Sequence, residues 1–282
     1  MRLHLDTDFG DNPDDACALA MVLGWPGAEL VGITTTADPH GARAARVTRF
    51  LSRLGAGDIP VASGADEGAA EDLLSHSVGA GATVAAIGPF TNLARLEGAR
   101  SGTLSGVRVV TMGGWVDPFG DGYPGWGPDR DHNVQADTAA ALALFESDAD
   151  LTLVPCASAV AACLRTTDLV RLSSSGPAGA LLAEESTRHG RDKGYPGLGR
   201  RHVALPDDLV SFHWDPLTCA VALGWSGATV SESTLRPVLE RGVLRFERHP
   251  GARRTRVVGQ VDGVAFADLW LTAVERAQGR MR

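Results

Sequence analysis

Five aspartates fall within ten positions near the start of the chain, inside the segment LDTDFGDNPDDACAL that covers residues 5–19. The apolar residues 3–5 before them have the character of a buried strand, and the Ala-rich stretch after them that of a helix. In an open α/β sheet, ligands bind outside the carboxyl ends of the strands, so a strand that ends at Asp6 places these carboxylates where a site forms. The fold must therefore hold several carboxylates together at the edge of a sheet.

The spacing of four of these aspartates predicts that they converge. Asp6 and Asp8 are two positions apart and point to the same side of an extended chain, while Asp14 and Asp15 stand at the start of the next helix. Carboxylates so close raise one another's pKa values unless a cation lies between them. Oxygen ligands without nearby His or Cys favour Ca²⁺ or Mg²⁺ over zinc. Capping of a helix, worth ~0.3–1 kcal/mol per residue, would explain Asp14 and Asp15 but not the other two.

Alternation of short apolar runs with helical stretches predicts an α/β fold in which helices flank a mostly parallel, Rossmann-like sheet. We expect strands at residues 3–5, 30–36, 59–62, 83–87, 107–112 and 151–155, and helices at residues 14–23, 43–54, 138–145 and 214–223, with another from Leu93 after a turn at GPFTN. The Gly-rich residues 115–130 and 190–202 are expected to be irregular. The final third, with strands at 236–239 and 257–261, is expected to form a small antiparallel addition to a single domain of residues 1–282.

A formal net charge of -8 over 282 residues argues against binding to nucleic acid or to an anionic membrane surface, both of which attract clustered Lys and Arg. The expected partner is therefore a small molecule. The four cysteines lack the short paired spacing of a zinc or redox site and are expected to be buried free thiols: Cys17, Cys156, Cys163 and Cys219. A start without a leader-like pattern, and no apolar run of ~18 residues, predict a cytoplasmic protein.

The segment DTDFGDNPDDACAL is similar to the N-terminal signature of the nucleoside hydrolase family, of the inosine-uridine preferring type. Further stretches in the same order carry the resemblance: VGITTT at 31–36, AIGPFTNLA at 86–94, VVTMGG at 109–114, DHNVQAD at 131–137 and WDPLTCAVA at 214–222. The resemblance implies the nucleoside hydrolase fold and hydrolysis of the N-glycosidic bond of ribonucleosides to ribose and free base. It also implies a homodimer or homotetramer.

Carried over position by position, the resemblance implies Ca²⁺ as the cofactor. Asp8 resembles the aspartate that ligates this ion and acts as general base on water. The further ligands implied are Asp15, the backbone carbonyl of Thr91 and Asp215, with Asp6 as a support beside the metal. The ion would bind the 2′- and 3′-hydroxyls and the attacking water, which fixes their geometry and makes the water easier to deprotonate.

The same comparison gives candidates for substrate binding. Asp14 resembles the carboxylate that holds a ribose hydroxyl, and Asn133 the side chain that reaches the other edge of the sugar. Asp131 and His132 stand where the family usually has Glu and Phe, and a shorter acid there reaches a 5′-hydroxyl less well or leaves room for a larger group. His132 is also a candidate for contact with the base. Met112, in a matching motif, completes these candidates.

Two departures from the family pattern affect the sugar edge and the leaving group. The Asn expected after the second strand is missing from ADPHG at 37–41, where Asp38 or His40 would have to replace it. Many members have a His directly before the metal-ligating Asp, and it is taken to protonate the leaving base. Here Trp214 holds that position and His213 comes one residue earlier.

The purine-specific branch of the family is known for tryptophans that stack on the base. An aromatic face contributes ~0.5–1.5 kcal/mol beyond area burial and favours bicyclic bases, so we expect purine nucleosides as substrates. Alternatively, Trp214 is a core or rim residue and His213 is the acid. Trp115, Tyr123 and Trp126 either form an aromatic wall over the base or belong to ordinary loop packing.

Two other functions stay open at this point. A non-catalytic or modified-nucleoside-specific homologue would keep the ribose and Ca²⁺ pocket, and the changed loop at 115–130 suits a modified substrate. A Mg²⁺-dependent phosphatase of the haloacid dehalogenase type also begins with a strand that ends in a DxD nucleophile motif. That class resembles this chain only at Asp6 and Asp8, and the lysine it needs has no counterpart other than Lys193 in a Gly-rich segment.

Overall fold

A nine-stranded sheet forms the centre of the computed structural model, which describes residues 1–10, 12–66 and 68–279. Asp11, a member of the acidic cluster, lies outside the described residues. The strands of the described chain are β1 (Arg2–Thr7), β2 (Glu29–Thr35), β3 (Val61–Ser63), β4 (Thr83–Ala86), β5 (Arg108–Met112), β6 (Asp150–Val154), β7 (Cys163–Arg165), β8 (Leu209–Phe212), β9 (Ala228–Glu240), β10 (Val243–Arg248) and β11 (Arg253–Val261).

Helices cover this sheet on both faces, which gives the layered arrangement typical of α/β proteins. They are α1 (Asp14–Gly24), α2 (Ala42–Arg53), α3 (Ala69–Gly79), α4 (Thr91–Ala99), α5 (His132–Ala136), α6 (Thr138–Glu146), α7 (Cys156–Ala159), α8 (Leu169–Ser174), α9 (Pro177–Asp192), α10 (Tyr195–Arg201), α11 (Trp214–Ala222) and α12 (Gly263–Gly279). Within the ranges described, no helix combines the length and apolar character that crossing a membrane requires.

The order of the strands creates a crevice at the end of β1. Across the sheet they lie in the order β10, β9, β11, β6, β5, β4, β1, β2, β3, and the run from β3 to β11 is parallel. From β1 the chain adds β2 and β3 toward one edge of the sheet, whereas β4, β5 and β6 follow on the other side of β1. The carboxyl ends of β1 and β4 meet where this order reverses, which is where ligands bind in such sheets.

The sequence around β1 explains why its acidic end is held firmly. Leu3 and Leu5 are fully buried in the core, and α1 is buried along its whole length between α11 and α12. Small residues such as Ala16 and Ala20 allow that close packing. A buried helix whose first turn carries Asp14 and Asp15 thus forces both carboxylates into the interior beside the end of the strand.

The mostly parallel sheet with antiparallel C-terminal strands, predicted from the sequence, is confirmed, while three local details differ from the prediction. Residues 190–202 are largely helical, because Gly190 and Gly199 let α9 and α10 approach the backbone of Val210 and Pro206 too closely for a side chain. The C-terminal strands are longer than expected and extend the main sheet, since β11 pairs in parallel with β6 and β9 pairs antiparallel to β11. Helix α4 also begins at Thr91, two residues earlier than predicted.

Residues 115–130 are irregular apart from one short 3₁₀ turn at Pro128–Arg130, as predicted. The segment is nevertheless tied down at several points. The carbonyl of Trp115 accepts a hydrogen bond from Phe246 N at 2.7 Å, and Asp117 pairs with Arg248 at 2.7 Å. These contacts fix the segment to β10.

Candidate active site

Four aspartates are buried together at the end of β1 and at the first turns of α1 and α11. Asp6, Asp14, Asp15 and Asp215 are exposed by 0, 2, 3 and 6 %, and Asp8 is partly exposed, with 18 % of its side chain open to solvent. The backbone N–H of Asp215 donates to Asp14 Oδ2 at 3.2 Å, which joins the starts of α11 and α1. The convergence of N-terminal carboxylates and Asp215 on one place follows directly from this contact.

Burial and mutual repulsion disturb these carboxylates strongly. Burial, with the nearby Asp8 charge, raises the pKa of Asp15 to about 8, although the Thr7 hydroxyl donates to its Oδ1 at 2.5 Å. Burial also raises the pKa of Asp14 and of Asp215 well above the ordinary range, and each of these groups repels the other. Positive charge placed among them would relieve this repulsion.

The donor chemistry of the cluster fits a hard divalent cation. Asp6 Oδ2 and Asp14 Oδ1 are buried and have no hydrogen-bond partner among the residues that the structure describes. Such orphaned oxygens are costly unless something pairs with them. Within the described ranges, no group of three or more His, Cys, Asp or Glu side chains has the geometry of a metal site, so the case for a cation rests on the orphaned oxygens and the donor chemistry. The ligands available are all oxygens, which suits Ca²⁺ or Mg²⁺.

Thr91 and its neighbour Asn92 stand at the carboxyl end of β4, across the crevice from β1. Thr91 opens α4, and its hydroxyl donates to Asp137 Oδ2 at 2.6 Å. The Asn92 amide donates to Asp6 Oδ1 at 2.8 Å. Gly88, in the turn before them, packs so tightly on the backbone of Asp8 that an added Cβ would come within 2.6 Å of Asp8 N. The GPFTN turn is thereby fixed against the acidic end of β1.

Asp131, predicted to contact substrate, has both carboxylate oxygens bound to the protein. It is 1 % exposed, and it accepts hydrogen bonds from Gly114 N at 2.7 Å and from Val134 N at 3.4 Å, which caps α5. Gly113 and Gly114 both have positive φ, and a side chain at Gly113 would collide with Asp131. The glycine turn after β5 and the short acid therefore fit each other.

Asn133 contacts Met112 at the carboxyl end of β5. The Asn133 side-chain amide donates to the Ile87 carbonyl at 3.1 Å and to the Met112 carbonyl at 3.0 Å. Both amide hydrogens are therefore used, and Oδ1 is the atom left to accept from a ligand hydroxyl. The Met112 side chain is itself buried.

Asp38 and His40, the two candidates to replace the Asn that the family has after the second strand, have different surroundings in the structure. Asp38 is buried and binds the start of α2, accepting from Arg43 N and Ala44 N at 3.0 Å each, while His40 is exposed. Arg43, which the sequence reasoning missed, lies across Gly10 and donates from Nη1 to the main-chain carbonyl of Asp8. The position of Arg43 in α2 gives no sequence signal of this contact with Asp8, because the contact depends on how Asp38 binds the start of the helix.

His132 lies beside Asp8 on the solvent side of the cluster. Its Nε2 is 3.8 Å from Asp8 Oδ2, and 76 % of its side chain is exposed. Arg43 and His132 thus flank Asp8, the most exposed of the five aspartates of the cluster that the structure describes. Neither contact was predicted, although the place of His132 in a matching motif pointed to the site.

An aromatic cluster lies next to the acidic one. Trp214, directly before Asp215, stacks on Phe212 with ring centroids 4.6 Å apart and meets the edge of Trp126 at 6.5 Å. Phe119 contacts Trp126 at 5.3 Å and Tyr123 at 6.0 Å. Trp126 therefore brings a ring of the irregular segment against Trp214, and Phe119, Tyr123 and Trp126 pack with Trp214 on one hydrophobic cluster.

His213 points away from these groups into the core. Its ring packs 4.2 Å from Trp270 and 6.2 Å from Phe266, and it is 1 % exposed. Neither ring nitrogen has a hydrogen-bond partner in the part of the chain described, and burial lowers the pKa of His213 to about 3. A proton donor needs contact with the group it protonates, and this imidazole has no polar contact.

Comparison with known proteins identifies relatives in sequence and in fold. A protein of Oryza sativa subsp. japonica named probable uridine nucleosidase 2 is 28 % identical over 54 % of this chain, and the match spans only 56 % of that protein. A pyrimidine-specific ribonucleoside hydrolase of Salmonella paratyphi C is 26 % identical over 65 % of this chain and 70 % of its own length. The solved purine-preferring ribonucleoside hydrolase from Gardnerella vaginalis has the same fold, with 20 % identity, a TM-score of 0.81 and 99 % of each chain covered.

The model of one protein family matches residues 69–268, which is more than half of the chain. Its matched region contains the turn at the end of β4, the glycine turn after β5 and the start of α11, all of which contribute to the site described above. Members of this family typically use a metal ion. The chain belongs to the inosine-uridine preferring nucleoside hydrolase family.

Proposed function

We propose that this protein hydrolyses the N-glycosidic bond of ribonucleosides to ribose and free base. The observation that carries the proposal is the burial of Asp14, Asp15 and Asp215 against one another at the end of β1, with Asp8 open to solvent beside them. A ribose presents adjacent hydroxyls, which are suited to carboxylates and to a cation that they hold. The crevice between β1 and β4 is the place where such a ligand binds.

Ca²⁺ is the cofactor that we propose, held by Asp8, Asp15, Asp215 and the main-chain carbonyl of Thr91. When bound, the ion supplies positive charge that orients the sugar hydroxyls and a water molecule. Asp14 and the Asn133 amide oxygen accept hydrogen bonds from the sugar. Asp6 supports the ligands from below.

Asp8 is suited to the role of general base because its side chain is the most exposed among the described carboxylates of the cluster. It takes a proton from water at its exposed oxygen, next to His132. The other carboxylates favour the positive charge that develops on the ribose ring as the bond to the base breaks. Fixed charges of this kind need no reorganisation during the reaction.

Purine nucleosides are the substrates that we propose, because Trp214 and Trp126 are partly exposed, meet edge to face, and Trp214 directly precedes Asp215. The relatives named above include pyrimidine-specific and purine-preferring enzymes, so family membership leaves the base open. Stacking of the base on Trp214 would also stabilise the departing base. His213 is left out of this step because its ring has no route to the base.

Three further predictions from the sequence remain proposals. The sheet that runs from β1 to β11 supports a single domain of residues 1–282. The resemblance alone supports a homodimer or homotetramer. The pattern of the sequence alone supports a cytoplasmic location.

The test is release of free ribose from inosine, adenosine, guanosine, uridine and cytidine, with and without prior removal of Ca²⁺ by a chelator. We expect chelator-sensitive release that is fastest with purines and is restored by Ca²⁺ alone. Asp268→Asn, an exposed acid paired with Arg171, is the matched control for Asp→Asn changes in the cluster. Binding of Ca²⁺ and ribose without release from any of the five would contradict hydrolysis of ordinary nucleosides and indicate a binding protein or a modified substrate.

A further inference from the structure

A buried chain of hydrogen bonds runs beneath the aspartate cluster, from α3 to Asp6. His4 is fully buried on β1, with Nδ1 2.9 Å from Ser77 Oγ and Nε2 3.0 Å from Thr34 Oγ1. The Thr34 hydroxyl then donates to Asp6 Oδ1 at 2.6 Å, where the Asn92 amide arrives from the other side. The sequence predicts His4 to be solvated or structural, and the site proposed above does not use it.

The donors and acceptors in this chain fix a direction. An ionised carboxylate only accepts, so the single hydrogen of the Thr34 hydroxyl is committed to Asp6. The Thr34 oxygen must then accept from its other neighbour, which is His4 Nε2. A neutral imidazole that carries its hydrogen on Nε2 has a free lone pair on Nδ1, and Ser77 Oγ is placed to donate to it. The Ser77 hydroxyl also lies 2.9 Å from the Leu73 carbonyl, so that hydrogen is shared between two acceptors.

We infer that His4 is a positioning residue for the cation site. Through Thr34, His4 holds Asp6 Oδ1 in place, and this keeps Asp6 Oδ2 directed at the bound ion or its ligands. This inference rests on the proposed function. Asp6 pairs with Thr34 in the register of β1 and β2, so the contact is built into the sheet. Two donors hold Oδ1, while Oδ2 is buried and has no partner in the described portion of the chain.

Strand geometry explains why a histidine suits this position. His4 and Asp6 lie on one face of β1 because side chains alternate along a strand, and Asp8 follows directly after its end. His4 and Asp6 are fully buried, whereas Asp8 is partly exposed. Gly32, opposite His4 in the register, leaves room for the ring, since an added Cβ there would lie 3.1 Å from His4 Nδ1.

The test measures Ca²⁺ affinity by titration calorimetry on the full chain, with the melting temperature of the Ca²⁺-free protein as a parallel readout. Outer partners of metal ligands typically contribute ~10–100-fold in affinity, so we expect a loss of that size for Thr34→Val and restoration by Thr34→Ser. His4→Leu should weaken binding less than Thr34→Val, because His4 lies one hydrogen bond further from Asp6 than Thr34 does. Ser77→Ala should weaken it least, because Ser77 lies one hydrogen bond beyond His4. A purely structural role would lower the melting temperature without this graded loss of affinity.

A second measurement does not depend on any variant. In the Ca²⁺-loaded, ¹⁵N-histidine-labelled protein, ring nitrogen spectra should show His4 as the neutral form that carries its hydrogen on Nε2. A hydrogen on Nδ1 alone, or unchanged Ca²⁺ affinity in Thr34→Val, overturns the inference and leaves the proposed function standing. Failure of the unaltered protein to bind Ca²⁺ overturns both together.

Discussion

The two halves of the proposed site are built in different ways. The acidic half is held by short hydrogen bonds from the sheet and from helix starts, as between Thr7 and Asp15, and almost none of its surface is open. The aromatic half consists of rings from an irregular segment that pack on Phe212 and Trp214. In the function that we propose, the fixed carboxylates determine the reaction and the packed rings determine which base is accepted. The chemistry is therefore more firmly encoded in this fold than the choice of base.

The largest effect should come from the acidic half. Asp15→Asn removes one proposed ligand of the cation, which supplies several kcal/mol of charge stabilisation, so we expect turnover to fall by ~10²–10⁴-fold for every nucleoside, whatever its base. The Ca²⁺-free variant should melt at the same or a higher temperature, because repulsion by Asp8 is removed. Initial rates and thermal melts measure both. A loss confined to purines would break the division between the two halves.

The aromatic half should show the opposite pattern. Trp214→Ala should lower turnover of purine nucleosides by ~10–100-fold, from ~1.5–3 kcal/mol of lost apolar contact. Nitrophenyl riboside, whose leaving group needs no help, should be affected far less. The control is Trp225→Ala, since Trp225 packs on Phe266 away from this cluster. Equal losses on both substrates would show that Trp214 is a core or rim residue.

Arg43 lies at the border of the acidic half and should have a moderate effect. Arg43→Met keeps the length of the side chain but removes the donor to the Asp8 carbonyl. One hydrogen bond from a charged group is worth ~1.5–3 kcal/mol, so we expect ~10-fold slower turnover with all bases. Arg171→Met, which removes a surface ion pair, is the control. Unchanged kinetics would show that the loop after β1 needs no such support.

The smallest effect should come from His213, although it directly precedes Trp214 and Asp215 in the chain. Its ring nitrogens lack partners within the described ranges, so His213→Phe should leave turnover within ~3-fold and stability unchanged or higher. Rates and melting temperatures of the variant test this. A loss of turnover comparable to that of Asp15→Asn would instead identify His213 as the acid for the leaving base.

The sequence predicted the elements around β1 and α1 within one or two residues, because apolar runs interrupted by acids leave few alternatives. It did not predict the helices at residues 190–202, since their glycines serve close packing against β8, which is a tertiary effect. Asp131 accepts a hydrogen bond from Gly114 N, 17 positions away in the chain, and Asp6 accepts one from Asn92, 86 positions away. Long-range partners of this kind leave no local pattern.

The most direct test of the account is a crystal structure of the protein with Ca²⁺ and ribose. We expect the ion to contact Asp8, Asp15 and Asp215, with the sugar hydroxyls between it and Asp14, and the anomeric carbon directed toward Trp214. An ion bound elsewhere, or a sugar that avoids the carboxylates at the end of β1, would contradict the assignment of this crevice as the site of hydrolysis.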